Sequence, residues 1–209
     1  MNRQALGRKF ARLATNAAVA RPRLWRLFRG VMRRQFETLA PHWDQIRSAD
    51  HLAPYEEALE ALAEPPARAL DVGTGTGDGA LAIARRFPQA NVVGADLTDG
   101  MLEEARRKLS GDVAGRVRFE RADASALPYA DESFDLVAHA NMIPFFDEVA
   151  RLVAPGGYAL FAFSIGSETP IYVPFERLRA ELERRGFAEF ADFAAGQGTA
   201  LLARKRPSS

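Results

Sequence analysis

The stretch LDVGTGTGDGALAIA, residues 70–84, decides the fold of this chain. An apolar run of strand character is followed by four glycines within seven positions (73–79), and then by an apolar pattern of helical spacing. Bare backbone between a strand and a helix lets a ligand approach the amide groups at the helix start. The stretch therefore predicts a ligand-binding strand–turn–helix unit.

The alternation of strands and helices continues along the chain. Apolar periodicity predicts strands at 67–72, 90–96, 116–122, 134–140 and 157–163, and helices at 78–86, 99–109, 146–153 and 174–185. Two further strands, joined by Gly-Gln-Gly at 196–198, predict a closing antiparallel hairpin. We therefore expect an α/β fold, a Rossmann-like, seven-stranded and mostly parallel sheet with helices on both faces.

The N-terminal part has a different character. Helical spacing predicts three helices, at 2–19, from Pro22 onwards, and around 52–63, with Pro65-Pro66 ending the last. We therefore predict that the chain consists of a basic helical extension or lid, residues 1–65, and a ligand-binding domain, residues 66–209. The second helix is expected to present one apolar face made of Leu24, Leu27, Phe28, Val31 and Met32.

Composition excludes several classes of protein. Hydrophobic residues make up 47% and charged residues 26% of the 209, which is ordinary for a globular chain. Without cysteine there is no disulfide or thiolate metal site, and three scattered histidines predict no metal centre. No apolar run is long enough to span a membrane and no secretory signal pattern is present, so the expected location is the cytoplasm.

Three glycine-rich motifs compete for residues 71–80. A phosphate-binding P-loop is excluded, because no Gly-Lys-Ser/Thr follows. The dinucleotide fingerprint fits as Gly75-x-Gly77-x-x-Ala80, with Asp96 standing 21 residues after Gly75 where a ribose-binding acid belongs. The third pattern is Asp71-x-Gly73-x-Gly75-x-Gly77. The glycines alone leave the last two open.

Four ordered segments decide between them. LDVGTGTG (70–77), VVGADLTDGMLEEAR (92–106), ADASALPYADESFDLV (122–137) and EVARLVAPGGYALF (148–161) resemble the class I S-adenosylmethionine (SAM) methyltransferases. Within that family the resemblance is to the ubiquinone/menaquinone-biosynthesis subgroup, and it runs from about residue 36 to the C-terminus. It implies SAM as cofactor and methyl transfer to a small-molecule acceptor of lipophilic or quinone-like character.

The resemblance also implies which residues hold SAM. Asp71 is expected to order the glycine loop and face the methionine end, Asp96 to accept both ribose hydroxyls, and Asp123 to receive the adenine amine. The structural alternatives are a turn cap for Asp71 and a helix cap for Asp96. The remaining cofactor-binding residues are expected to be Gly73, Thr74, Gly75, Gly77, Leu97, Met101, Ala124 and His139.

The acceptor side is expected beyond the carboxyl ends of the strands, at 139–146. His139 is the candidate general base, with lining of the pocket as its alternative. His-Ala-Asn-Met stands where methyltransferases of nucleic acid base amines carry Asn/Asp-Pro-Pro-aromatic, which argues against that chemistry. Trp43 is expected to close over SAM or, alternatively, to attach the N-terminal helices to the body of the protein. The expected substrate-binding residues are Trp43, Asn141, Phe145 and Tyr172.

Residues 1–36 carry ten arginines or lysines and no acid, whereas the remaining 173 have a net charge of −9. Such a basic amphipathic segment suits an anionic membrane surface. Its alternatives are tracking of nucleic acid phosphates by an RNA methyltransferase, for which no RNA-binding module is recognisable, a transit peptide, and packing on the acidic body or on a second subunit of a homodimer. A SAM-binding protein without transferase activity and a nucleotide-dependent oxidoreductase are the rival functions.

Overall fold

The computed structural model describes residues 3–208; Met1, Asn2 and Ser209, which belong to the predicted ranges 1–65 and 66–209, lie outside the described residues. The longer helices are α1 (Arg3–Ala20), α2 (Trp25–Leu39), α3 (Trp43–Ile46), α4 (Ala53–Glu60), α5 (Asp78–Arg86), α6 (Asp99–Arg107), α7 (Phe146–Leu152) and α8 (Phe175–Glu183). The strands are β1 (Arg68–Val72), β2 (Asn91–Asp96), β3 (Val117–Arg121), β4 (Phe134–Ala140), β5 (Val153–Phe163), β6 (Phe187–Ala195) and β7 (Gly198–Lys205).

Within residues 3–208, seven strands form one sheet in the order β3-β2-β1-β4-β5-β7-β6. The first five strands in this order pair in parallel, and β7 pairs antiparallel with both β5 and β6. The predicted Rossmann-like sheet with a C-terminal hairpin is confirmed. The strand order reverses at β1 and β4, so the crevice beside their carboxyl ends lies at a topological switch point.

Each face of the sheet buries its own apolar core. The neighbouring residues Leu160 and Phe161 of β5 belong to different clusters, because successive side chains of a strand point to opposite faces. Trp25 and Met32 of α2 join the cluster of Phe161, whereas Tyr55 of α4 joins that of Leu160. The helices of residues 3–65 therefore cover both faces of the sheet.

The predicted apolar face of α2 is partly wrong. Trp25 and Met32 are buried, but Leu27 and Val31 are 72% and 54% exposed. The helix carries two apolar strips at helical spacing, and the strip with the tryptophan packs on the body because it buries the larger apolar area.

Several elements also differ from expectation. The short helix α3 was not predicted, and the helix expected around 52–63 spans only Ala53–Glu60. Strand β5 begins at Val153 rather than at 157, with a register shift against β4 between the pairs Phe134–Val153 and Leu136–Tyr158. Among residues 3–208, no helix has the length and apolar character needed to cross a membrane.

Candidate functional site

The glycine loop lies between the end of β1 and the start of α5. Gly73, Gly75 and Gly77 all have left-handed backbone, with φ of 69°, 54° and 88°. A Cβ on Gly73 would lie 2.6 Å from Sδ of Met142, and one on Gly77 would lie 2.7 Å from Cζ of Phe119. The protein's own packing thus requires glycine at both ends of the loop. At Gly75 the nearest atom to a built Cβ is the indole nitrogen of the half-buried Trp43, 3.7 Å away.

The carboxylate of Asp71 lies beneath this loop and is buried. It accepts hydrogen bonds from Oγ1 of Thr74 at 2.6 Å, from the hydroxyl of Tyr55 at 3.2 Å and from the backbone amide of Ala80. Burial raises the pKa of Asp71 to about 6, although these hydrogen bonds act to lower it. These contacts let Asp71 hold the loop in place; its approach to the methionine end of SAM stays a prediction.

Asp96, at the end of β2, connects that strand to the glycine loop. Oδ2 accepts the amide hydrogen of Gly75 at 2.9 Å, and Oδ1 accepts the amide and hydroxyl hydrogens of Thr98. Burial raises the pKa of this carboxyl, against the lowering effect of the same hydrogen bonds. The structure therefore places two of the predicted cofactor residues in direct contact, and the ribose role of Asp96 stays a prediction.

Asp123 follows β3 and faces helix α2. Its carboxylate accepts hydrogen bonds from Nε1 of Trp25 at 2.9 Å and from Nη1 of Arg29 at 3.0 Å. Burial acts to raise its pKa, but hydrogen bonds from Ser125, Arg29 and Trp25 lower it below the ordinary value. The side chain of Asp123 is thus ionised at neutral pH.

A cavity of about 530 Å³ opens beside Asp123. The predicted cofactor residues Leu97 and Asp123 line it, whereas Ala124 and Met101 are buried and do not. The complete lining consists of Arg29, Gly30, Arg33, Leu97, Arg121, Ala122 and Asp123.

His139 lies near the end of β4 and is buried. Its ring stacks on Phe161, with ring centroids 4.8 Å apart and an interplanar angle of 16°. Nδ1 has no hydrogen-bond partner among the described residues. Burial lowers the pKa of His139 to about 3, partly offset by a hydrogen bond involving the backbone of Leu160. The imidazole is therefore neutral at physiological pH.

The four predicted substrate residues do not form one group. Phe145 packs edge-on against Trp25, with centroids 5.6 Å apart, and Tyr172 packs against Phe163 at 5.0 Å. Asn141 uses Oδ1 to accept the amide hydrogen of Ser164 at 2.9 Å, so its side chain joins the ends of β4 and β5. Trp43 lies apart from these three, next to the glycine loop, where it packs on Phe36.

A cluster of charges fixes α3 to the glycine loop. Lys108 Nζ lies 2.7 Å from Asp78 and 2.6 Å from Asp44, and it donates to Thr76 at 3.0 Å. Arg47 donates to Asp78 at 2.6 Å and to Thr76 at 2.8 Å. Burial acts to raise the pKa of Asp78, but its hydrogen bonds and the adjacent cations lower it strongly.

Sequence reasoning missed this cluster, and it also missed Tyr55, Trp25 and Arg29 as partners of the strand-end carboxylates. The paired residues stand between 16 and 98 positions apart in the chain. The one available signal was general: a buried tryptophan needs an acceptor for its indole N–H, but this rule does not say which acceptor.

Comparisons with known proteins agree with this geometry. Residues 69–157 match a family model described as a methyltransferase domain. The chain is 39% identical over 134 residues to the demethylmenaquinone methyltransferase of Deinococcus radiodurans, a match covering 58% of this chain and 55% of that relative. It is 47% identical over 136 residues to the demethylmenaquinone methyltransferase of Thermus thermophilus, covering 58% and 60%. The chain thus spans little more than half the length of these curated relatives.

A solved structure shares the fold. It is the putative methyltransferase in complex with the Haloferax volcanii Trm112 methyltransferase activator, with a TM-score of 0.67 and 18% identity, covering 82% of this chain and 97% of that one. The matched domain, the similar sequences and the shared fold lead to one assignment. The chain contains a methyltransferase domain and is similar to the class I S-adenosylmethionine-dependent methyltransferases, whose cofactor is SAM, and among them to the ubiquinone/menaquinone-biosynthesis subgroup.

Proposed function

We propose that the chain moves a methyl group from SAM to a small lipophilic acceptor of the quinone kind, in the cytoplasm. The observation that carries this proposal is a row of three groups at the carboxyl ends of neighbouring strands. The Gly75 loop follows β1, Asp96 ends β2 and Asp123 follows β3. Ligands of open α/β sheets bind at this edge, next to the switch point.

The residues present fit the chemistry of SAM. The adenine amine and the ribose hydroxyls are donors, and the half-buried carboxylates of Asp123 and Asp96 are acceptors. Left-handed backbone at Gly75 allows close approach to a methionine tail. We propose that Asp123 holds the adenine of SAM, Asp96 its ribose and the Gly75 loop its methionine part.

Positioning of the two reactants is expected to supply most of the catalysis. When bound, SAM supplies a methyl group that its sulfonium has already activated. The acceptor forms its bond to the methyl carbon while the carbon–sulfur bond breaks and its electron pair stays on sulfur; the acceptor's proton is released. In-line positioning is worth about 7–11 kcal/mol, and a general base about 3–5 kcal/mol. His139, whose pKa is about 3, is a weak base, and we propose that it lines the site.

Aromatic side chains support a ring-shaped acceptor. Tyr172 is half-buried against the apolar core of one sheet face, which also contains Phe145 and Trp25. Stacking and edge contacts with such rings favour a flat apolar molecule. The two relatives from Deinococcus and Thermus bear the name of a quinone-ring methyltransferase.

The test is transfer of isotopically labelled methyl from SAM into a fractionated cell extract. We expect label in the lipid-soluble fraction with the unchanged chain and with Asp112→Asn, which alters an exposed carboxylate. Asp96→Asn should abolish it. Label in RNA would replace this proposal with the RNA methyltransferase, and SAM binding without any transfer would replace it with a binding protein.

We also propose that residues 1–36 hold the chain at an anionic membrane surface. Support comes from the outward strip of α2, meaning the exposed Leu27 and Val31, which lie one helical turn apart. Leu13 of α1 is also 62% exposed. Arginines border the strip and form no ion pair among residues 3–208: Arg23, Arg26 and Arg34.

Two features favour a bilayer over the other partners of this surface. Nucleic acid phosphates would pair with the arginines but would leave Leu27 and Val31 in water. In a two-fold homodimer through the same strip, the arginines of one copy would face those of the other. A bilayer of anionic lipids accepts both the aliphatic side chains and the guanidinium groups.

Vesicle sedimentation tests this surface. The chain should sediment with vesicles containing phosphatidylglycerol and stay in solution with neutral phosphatidylcholine. Leu27→Gln with Val31→Gln should reduce binding about tenfold. The matched control is Ile46→Gln, which removes an equally exposed apolar side chain from α3. Equal sedimentation of the two variants, or dimerisation lost in the α2 variant, would overturn the membrane contact.

A further inference from the structure

We infer that helix α2 completes the nucleoside end of the SAM site, with Trp25 positioning Asp123 and Gly30 leaving room for the ligand. This inference rests on the proposed function. It concerns residues of the N-terminal extension, none of which belongs to the four motifs that carry the family resemblance.

The first step is the distribution of donors around Asp123. Oδ1 accepts three hydrogen bonds, from Nε1 of Trp25 at 2.9 Å and from the amide and hydroxyl of Ser125 at 3.0 and 2.8 Å. Oδ2 accepts one, from Arg29 at 3.0 Å. A carboxylate oxygen has about two lone pairs to offer, so Oδ2 is the atom with remaining capacity. The adenine amine is therefore assigned to Oδ2.

The second step is the fixed position of Trp25. Its side chain is 4% exposed, and its ring packs edge-on against Phe145. A buried and packed indole has little rotational freedom. The Nε1–H···Oδ1 bond therefore holds the carboxylate of Asp123 in one orientation, with Oδ2 bonded to Arg29, which also lines the cavity.

The third step is the wall of the cavity. Three residues of α2, namely Arg29, Gly30 and Arg33, line the cavity together with residues after β2 and at the end of β3. A Cβ built on Gly30 meets no atom within 4 Å. Glycine is a poor residue for the middle of a helix, so its cost there is offset by the room it leaves. The planar guanidinium of Arg33 has no ion-pair partner within residues 3–208, and its shape suits stacking on a purine.

Gly30→Leu tests the wall. The side chain would enter the cavity, and we expect the Kd of S-adenosylhomocysteine, measured by titration calorimetry, to rise at least tenfold. The midpoint of thermal unfolding should stay equal or increase, because leucine is the better helix former. Gln35→Leu makes a similar change at an exposed position of α2 outside the cavity and should leave Kd unchanged.

Trp25→Phe tests the positioning role, since it removes the indole N–H and keeps a ring against Phe145. The readout is preference for S-adenosylhomocysteine over S-inosylhomocysteine, whose keto group would meet the Asp123 carboxylate as a second acceptor. We expect the unchanged chain to prefer the adenosyl ligand at least tenfold, and the variant to lose most of that preference. A general loss of packing would weaken both ligands equally.

The outcomes separate the two proposals. Unchanged affinity in Gly30→Leu, or an unchanged ligand preference in Trp25→Phe, would overturn the inference and leave methyl transfer standing. Tighter binding in Trp25→Phe would also overturn it, because the indole would then compete with the ligand. If the unchanged chain bound no S-adenosylhomocysteine, the proposed function would fail first.

Discussion

Asp96 holds the glycine loop against the end of β2. Its carboxylate accepts the amide hydrogen of Gly75 in the loop and that of Thr98, two residues after the strand. Its burial makes the negative charge costly unless donors surround it. The ribose hydroxyls of SAM are two further donors of this kind. The same carboxylate would therefore order the loop and bind the ligand.

Asp96→Asn should raise the Kd of S-adenosylhomocysteine more than tenfold, because an amide has one acceptor atom where the carboxylate has two. The free energy of unfolding should fall by about 1–3 kcal/mol, since a donor of Gly75 or Thr98 loses its partner. Titration calorimetry and urea unfolding check the two effects. An affinity equal to that of Asp112→Asn would refute the ribose role.

His139 makes the free energy of unfolding depend on pH. Its pKa is about 3 in the folded chain and about 6.5 when exposed, so between these values the unfolded chain binds a proton that the folded chain does not. The free energy of unfolding thus falls as pH is lowered from 6.5. Asp71 acts in the opposite direction between pH 3.8 and about 6, because there the folded chain holds the extra proton.

His139→Gln isolates the histidine term, because Asp71 contributes equally to both proteins. Between pH 7 and pH 5 the unchanged chain should lose about 2 kcal/mol more unfolding free energy than the variant. Urea denaturation at the two pH values measures it. Parallel pH dependence in the two proteins would show that His139 is not buried in its neutral form.

At the scale of elements, α3 is held by charge in addition to the packing of Trp43 on Phe36. Lys108 Nζ contacts Asp44 of α3 together with Asp78 of α5. These side chains are between 25% and 46% exposed, so solvent screens each pair, and one such pair contributes about 0–1 kcal/mol. The cluster therefore holds Trp43 in place, and breaking its ion pairs would cost little free energy.

Lys108→Met should release α3 while keeping most of the packing of the side chain's stem. We expect the amides of 43–47 to exchange with solvent at least several-fold faster, and the free energy of unfolding to fall by about 1 kcal/mol or less. Hydrogen–deuterium exchange with mass spectrometry gives the rate. Arg107→Met, which removes a neighbouring exposed cation paired with Glu104, is the control. Equal exchange in both variants would contradict the clamp.

The elements of the sheet were predictable because each parallel strand is a short apolar run followed by a turn signal. Strand β5 was the exception at its start, since Pro155, Gly156 and Gly157 interrupt the apolar pattern. The predicted apolar face of α2 mixed the exposed Leu27 and Val31 with the buried Met32, because both strips of the helix repeat every three or four residues. Periodicity reports that a face exists, and only the partner decides which face is buried.

The same distinction applies to the site. Asp71, Asp96 and Asp123 could be located from the sequence, because strand ends follow from the pattern. Their partners Tyr55, Trp25 and Arg29 could not, since those contacts depend on how the N-terminal helices pack. The assignment of SAM came from ordered motifs, and the contribution of α2 to the cavity came from the structure alone.

At the scale of the whole molecule, Tyr55 joins α4 to the first strand. Tyr55→Phe removes one donor from the buried Asp71 and should lower the free energy of unfolding by about 1–3 kcal/mol. Tyr172→Phe, in a half-buried tyrosine, should change it by less than about 0.5 kcal/mol. Urea unfolding of both proteins gives the comparison. Similar losses in the two proteins would contradict a specific stabilising role of the hydrogen bond from Tyr55 to Asp71.

The burial of α4 also has a consequence for how the molecule comes apart. Tyr55, Ala58 and Leu59 are buried, and the cluster they belong to includes Leu160 of β5 and Leu202 of β7. Detaching this helix would expose to water the apolar face formed by β5 and β7. Local opening there is therefore nearly as costly as global unfolding, and α4 and the sheet should behave as a single cooperative unit.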